Sequence, residues 1–428
     1  MTKKKILILT YYWPPSGGAG VQRWLKFVKY LPKYNWNPIV FTVENGEYPV
    51  LDMALNNDIP KDIEVIKNSI WEPYGFYKKL TGRKKSDKIN SGFLTEKKKS
   101  ILFEKLSIWI RGNLFIPDAR KYWIKPSINL LKAYLIKNKV DVIISSGPPH
   151  STHLIANDLA TYFNIPWIAD FRDPWTNIDF YNELLLTKWA DKKHKKLEKL
   201  VLNNADIILT IGQTLAMELK ELGAKRVEII ENGYDPSDIK EGELNLDDKF
   251  TIAHIGSFTP SRNIDSFWIA ISELLKEDES FSKRLQLKLI GKVDISVLDS
   301  INKYELNSYV NHISYLTHDL VIKEQMKSHI LLLMVNNTPN AKGIVTGKVF
   351  EYMASGRPTL IIGPVDGDVS KIVSNCNAGI TCDYNDVKKI KTEILEIFYK
   401  RKEYNATINS YSRDSLTEKL NNILNSLV

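Results

Sequence analysis

The residues best suited to chemistry lie in loops that follow an apolar run and precede a helical repeat. The richest is "NNTPNAKGIVTGKVFEYMASGRP" (336–358). Thr346, Gly347 and Lys348 there would present amides and an ammonium to a phosphate at the start of a helix. Glu351, one turn on, would point back into the same pocket, where a carboxylate can accept two ribose hydroxyls. The alternative is that Glu351 only caps the helix start or pairs with Lys348. In "HIGSFTPSRN" (254–263) a strand ends at Gly256, and Arg262 precedes a helix expected to be capped at Asn263. A guanidinium beside helix-terminal amides suits a diphosphate.

Two further loops belong to the first half. Between Pro14 and Gly20, the glycines Gly17, Gly18 and Gly20 would let a ligand approach the backbone closely. The spacing is not that of the G-x-G-x-x-G dinucleotide fingerprint, and a plain tight turn is the competing reading. "SSGPPHSTH" (145–153) brings His150 and His153, and "ADFRDPW" (169–175) packs Asp170, Arg172 and Asp173 into four residues beside Trp175. Such charges are costly unless paired, so they mark either a site or an Asp–Arg bridge that holds the loop. The two histidines lack a third ligand at metal spacing. "DGD" (366–368) precedes a helical stretch, so Asp366 or Asp368 reads as a helix cap rather than a metal ligand. No metal and no cofactor is expected.

The elements that must position these loops alternate between strand and helix. Strands are expected at 5–9, 37–43, 140–147, 165–171, 206–212 and 227–233, and helices at 21–31, 151–163, 188–205 and 213–223. After the acidic, turn-rich stretch 234–248 the alternation restarts, with strands at 250–256, 285–291, 310–316, 329–335 and 357–363 and helices at 263–278 and 347–356. The tail from 387 reads as helical throughout. Apolar runs of this length alternating with helices indicate parallel sheets covered on both faces. The expected class is therefore α/β, with two doubly wound Rossmann-like domains facing a cleft. They are an acceptor-side domain over 1–233 and a donor-side domain over 249–404, with a linker at 234–248. A C-terminal helix at 405–428 is expected to pack back on the first domain. Open parallel sheets bind ligands outside the carboxyl ends of their strands, which is where all these loops fall.

Composition sets the outer limits. The chain has 428 residues, 43% hydrophobic and 25% charged, which is ample for two cores and excludes a disordered chain. Its two cysteines, Cys376 and Cys382, exclude a disulfide framework and read as packed thiols. No apolar run is long enough for a membrane span or a secretory leader, so a cytoplasmic protein is expected. The formal net charge is +9, but residues 78–125 alone hold fourteen Lys or Arg against four Asp or Glu. The rest of the chain sums to about −1, and with no nucleic-acid motif present this argues against a nucleic-acid partner. Basic residues interleaved with Phe93, Leu94, Ile101, Leu102, Phe103, Trp109 and Phe115 suit an anionic membrane surface, or else a solvated helical hairpin.

With those loops in place the chain resembles the retaining nucleotide-sugar glycosyltransferases of GT-B fold, in particular the large family numbered four. "GKVFEYMASGRPTLI" is similar to the family's donor-site helix and following strand, and "HIGSFTPSRNIDSF" to the segment that opens its second domain. "WPPSGGAGVQRW" resembles its N-terminal glycine loop, and "ADFRDPW" stands in place of its acceptor-side catalytic loop. Two positions depart from the pattern. Gly343 stands where the family usually carries a donor-sugar Glu. Ser257 replaces an Arg that often follows the glycine at 256, while Arg262 stands where the family's Lys does.

The resemblance implies a uridine-diphosphate sugar gripped by Arg262, Lys348 and the amides around Gly347, with its ribose on Glu351. It implies an acceptor on the first domain, oriented by Asp170, Arg172, Asp173 or His150. Domain closure about 234–248 would exclude water. The acceptor would be a glycan or a lipid-linked glycan of surface polysaccharide synthesis, reached from an anionic membrane through 78–125. Competing expectations are a sugar-nucleotide 2-epimerase of similar fold and a non-catalytic nucleotide-sugar-binding protein. A pyridoxal-dependent phosphorylase is poorly matched, because Lys348 is better explained by a diphosphate.

Overall fold

A computed structural model describes residues 3–48, 50–72, 101–239 and 245–428. They divide into two compact units, one formed by 1–231 with 413–428 and the other by 232–412.

The first unit is built on seven strands: β1 Lys4–Leu9, β2 Trp36–Val43, β3 Glu64–Asn68, β4 Val142–Gly147, β5 Trp167–Phe171, β6 Ile207–Thr210 and β7 Val227–Ile229. All pair in parallel, in the order β3-β2-β1-β4-β5-β6-β7. Successive residues of a strand point to opposite faces, so the unbroken run Ile6–Leu9 divides itself between two cores. Ile6 and Ile8 join Trp24 and Phe27 of the helix Ala19–Tyr30. Leu7 and Leu9 join Phe41, Trp123, Ile155 and Leu159 on the other side. Each such side chain, taken fully out of water, contributes about 1.5–3 kcal/mol.

The second unit holds β8 Phe250–Ile255, β9 Leu285–Ile290, β10 Val310–Ile313, β11 Ile330–Met334, β12 Thr359–Ile362 and β13 Gly379–Cys382. They are again parallel, in the order β10-β9-β8-β11-β12-β13. In both sheets the order reverses at one strand pair, β1/β4 and β8/β11. That topological switch point is the place where doubly wound sheets open a ligand crevice.

Two expectations need correction. The edge strands β3 and β13 were not anticipated; the first reads "EVIKN", half polar, and the second has only four residues, so neither shows the long apolar run of a central strand. The tail is not helical throughout. A helix at Val387–Phe398 ends, Lys400 takes a left-handed backbone, and helix resumes only at Arg413–Asn425. There Leu416, Leu420 and Leu424 join the core of Ile6 and Ile8, and Trp36 Nε1 donates to Asn421 Oδ1 at 3.0 Å. The stretch expected as a linker has anchored flanks. Tyr234 bridges to Ser412, and Asp247 accepts from Lys288 Nζ at 2.7 Å. Its residues 240–244 lie outside the described residues, as does 78–100 of the basic segment.

Candidate functional site

In the second unit the site grows from the carboxyl ends of β8 and β11. After Ile255 the chain turns through Gly256, whose φ of 105° lies in the left-handed region that glycine adopts without strain. The short turn Pro260–Arg262 follows. Arg262 is held there by two bonds, Nε to Asn336 Oδ1 at 2.7 Å and Nη1 to the Ser257 carbonyl at 3.0 Å. Asn336 immediately follows β11 and Val335, so the guanidinium is fixed across the switch point of the sheet. Asn263 does not cap the next helix, which runs Asp265–Glu277 with Ile264 at the cap position. Its side chain instead donates to Ser296 and Ser300 and accepts from Trp268 Nε1 at 2.7 Å, which makes it a packing tie rather than a cap.

The helix Lys348–Ala354 begins on Gly347. The Lys348 ammonium curls back over Gly256, where an added Cβ would stand 2.5 Å from Nζ. Nζ is buried and has no hydrogen-bond partner. Burial first, and Arg262 second, push its pKa down to about 7, with Glu351 opposing. A buried ammonium beside a second cation is unfavourable unless an anion joins them. Thr346 Oγ1 is likewise buried without a partner, and nothing lies within 4 Å of where a Cβ on Gly347 would project. Glu351 is part-buried and accepts from Gln325 Nε2 at 3.4 Å.

Two residues around this cluster were missed from sequence. His254 is buried on β8 and held neutral by burial and by the nearby Lys348 and Arg262. The Tyr352 hydroxyl accepts from the Ile255 amide at 3.0 Å and so ties the Lys348 helix to β8. The signal for the first was its place inside a strand buried on both faces; nothing local signalled the second.

Gly343 ends the short turn Ala341–Gly343, upstream of the Lys348 helix. Next to it Lys342 Nζ pairs with Asp366 at 2.5 Å. The helix Asp368–Asn375 starts on Gly367, with Asp368 in its first turn. Among the described residues no group of three His, Cys, Asp or Glu is placed to hold a metal. Cys376 and Cys382 are buried, and burial pushes both thiols up, Cys382 to about 12.

In the first unit the charges sort differently from their spacing. Asp170 is fully buried and accepts from Arg23 Nη2 at 2.9 Å, Trp24 Nε1 at 2.8 Å and Ser146 Oγ at 3.0 Å. Arg23 also donates to the carbonyls of Ile230 and Glu231. Asp170 is therefore tied to Arg23 rather than bridged to Arg172. Arg172 donates to three carbonyls, Gly147 at 3.1 Å, Gly20 at 2.7 Å and Pro148 at 2.7 Å, and so joins the glycine loop to the Pro–Pro loop. Asp173 is exposed. Gly17 donates to the Val50 carbonyl at 2.9 Å, while Gly18 has φ 92° and open space beside it.

His150 stacks on Trp175, centroids 4.4 Å apart and planes 2° from parallel. His153 stacks on Phe171 and meets Ser145 Oγ at 2.8 Å through Nδ1. His150 Nδ1 and His153 Nε2 are both buried without a partner, and both border the space that a Cβ on Gly147 would occupy. Burial keeps both rings neutral, and His153 is pushed down to about 3. The structure thus gathers Gly256, Ser257, Arg262, Thr346, Gly347, Lys348 and Glu351 at one sheet end. In the first unit it joins Arg172 to the His150 loop, and it turns Asp170 inward.

Residues 93–238 match the family model described as Glycosyltransferase Family 4. A search of curated proteins returns no match. Among solved structures, sucrose-phosphate synthase from Thermosynechococcus elongatus superimposes with a TM-score of 0.58 at 15% identity, covering 99% of this chain and 95% of that one. A TarM variant from S. aureus, in complex with fondaparinux, α-GlcNAc-glycerol and UDP, gives 0.59 at 12%, covering 99% and 100%. A protein described provisionally as a UDP-N-acetylglucosamine 2-epimerase from Listeria monocytogenes gives 0.56 at 11%, covering 98% and 95%. On the family match, together with the two-sheet α/β fold shared with sucrose-phosphate synthase, the chain is a glycosyltransferase in class.

Proposed function

We propose that the chain transfers a sugar, with retention, from a UDP-linked donor onto a hydroxyl of a glycan or lipid-linked acceptor in surface polysaccharide synthesis. The observation that carries this proposal is the Lys348 ammonium, buried without a partner close to Arg262. Breaking the bond between the anomeric carbon and the diphosphate puts negative charge on the leaving phosphate. Fixed positive charge aimed at that phosphate is the largest contribution such a site can make. Arg262 and Lys348 supply it, and the open space at Gly347 leaves its amide end accessible to phosphate oxygens. Glu351 accepts the ribose hydroxyls. Gly343 has no side chain, so the donor sugar is without the family's usual carboxylate contact.

The acceptor lies on the first unit. His150 and the exposed Asp173 are the groups left to orient its hydroxyl, because Asp170 and Arg172 are engaged in holding the loops together. The donor phosphate itself takes the hydroxyl proton. The basic segment 78–125 brings the protein to the anionic membrane where a lipid-linked acceptor resides.

The test is incubation with UDP-sugars with and without a lipid-linked glycan acceptor. Sugar transfer and UDP release that both depend on the acceptor are expected. An epimerised UDP-sugar as the sole product, formed without acceptor, would establish the epimerase instead. UDP binding with no turnover on any acceptor would establish a binding protein.

A further inference from the structure

Outside both clusters, the first unit carries a surface whose chemistry has no role in sugar transfer. The helix Lys188–Asn204 turns Ala190, His194, Glu198, Val201 and Leu202 into the protein. Its opposite face holds six lysines in two rows. Lys188, Lys192, Lys195 and Lys199 follow one another at i, i+4, i+7 and i+11, and Trp189, Lys193, Lys196 and Leu200 do the same alongside. The helix has two acids, and only Asp191, paired with Lys195 at 2.9 Å, offsets this face, which keeps an excess of five positive charges. Glu198 is buried against Thr176, and Asp191 is engaged by Lys195 and Tyr181. Trp189 is 63% exposed and has Lys193 over its ring.

A second element lies beside this helix. The helix Ile101–Leu114 is fastened to the start of the lysine helix at Asn113, whose side chain donates to the Leu185 carbonyl at 3.1 Å and accepts from the Thr187 amide at 2.7 Å. It exposes Leu106, Trp109 and Leu114 together with Lys105 and Arg111, and Leu185 is exposed at the junction. Large apolar side chains left in water are unfavourable unless something covers them, and indole rings among ammonium groups match a lipid headgroup boundary.

We infer that the lysine face of Lys188–Asn204 and the exposed apolar side chains of Ile101–Leu114 form one docking surface for an anionic lipid bilayer. The surface deepens the lipid-linked acceptor proposal above and takes its purpose from it. The charges attract the headgroups, and Trp109, Trp189, Leu106 and Leu185 enter the interfacial layer. A flexible basic tail would supply charge alone; this surface adds a fixed orientation.

The experiment is co-sedimentation of the full chain with vesicles of phosphatidylcholine alone or mixed with phosphatidylglycerol, at low and high salt. The chain should sediment with the anionic vesicles only, and salt should release it. Each lysine near the surface is worth about fivefold in partitioning, so Lys192→Ala/Lys193→Ala/Lys196→Ala should weaken binding on the order of 100-fold. Trp189→Ala should weaken it as well, and both variants should melt as the parent does. Transfer to a water-soluble acceptor should be unchanged in both. Equal sedimentation of parent and triple variant overturns the inference, as does sedimentation with neutral vesicles alone. Binding to heparin or RNA without binding to vesicles overturns it too, in favour of a polyanion partner. If vesicle binding follows the pattern but no acceptor is ever glycosylated, the docking surface stands and the catalytic proposal falls.

Discussion

Lys348 and Gly256 meet so closely that a Cβ on Gly256 would stand 2.5 Å from the Lys348 Nζ. One consequence is a pH dependence of donor binding. Without an anion, burial and Arg262 hold the Lys348 pKa at about 7, below its usual value of 10.5. A bound diphosphate favours the charged form, so binding above pH 7 takes up a proton. Affinity for a UDP-sugar should be level below about pH 7 and fall above it, by up to about tenfold per unit. Calorimetric titration across that range checks this, and Gly256→Ala should lower affinity throughout by displacing the ammonium. An affinity that does not respond to pH would place the diphosphate elsewhere.

Glu351 should separate the nucleoside from the diphosphate. A hydrogen bond to a charged group is worth about 1.5–3 kcal/mol, so Glu351→Ala should weaken UDP binding by roughly 10- to 150-fold. Pyrophosphate makes no ribose contact, and its affinity should not change. Parallel competition assays with the two ligands decide the matter, and unchanged UDP affinity removes Glu351 from the site.

The Arg23–Asp170 pair should act on stability. Both side chains are fully buried, and removing one partner leaves a charge in the core. Asp170→Ala should cost about 3–5 kcal/mol in urea denaturation. The exposed Asp173→Ala should stay within about 0.5 kcal/mol while still being informative in acceptor assays. Equal effects of the two substitutions on stability would contradict the buried tie.

Acid should expose the buried His153. Its folded pKa is pushed to about 3, chiefly by burial, with Arg172 adding to the shift and Asp170 opposing it, against 6.5 for a free imidazole. Between those values the unfolded chain binds the extra proton, so this contribution is complete above pH 6.5 and is lost as pH falls toward 3. The loss approaches about 1.4 kcal/mol per pH unit at most. His153→Phe should flatten the acid limb of stability measured by denaturation, and an unaltered slope would show that the ring is not the group titrating.

How far these features could be read from sequence depends on how local they are. Thr346, Gly347, Lys348 and Glu351 lie within one turn of a strand-to-helix junction, so the strand before them and the helix after them already imply a shared pocket. Arg23 and Asp170 lie 147 residues apart. In sequence Arg23 is one polar residue of an amphipathic helix, and only the β1/β4/β5 packing takes it out of water. Asp170 lies on β5 and Arg172 just past its end, where the strand's alternation stops, so one turns inward and the other joins the loops at the sheet end, and sequence proximity was misleading about their pairing. The apolar runs that predicted the central strands could not find β3, whose edge position leaves Glu64 and Lys67 in solvent.

The most direct measurement is calorimetric titration of UDP into the parent chain and into Lys348→Ala at neutral pH. The parent is expected to bind and the variant to bind at least about tenfold more weakly, because its ammonium no longer meets the diphosphate. Equal affinity in both would contradict the donor site described above.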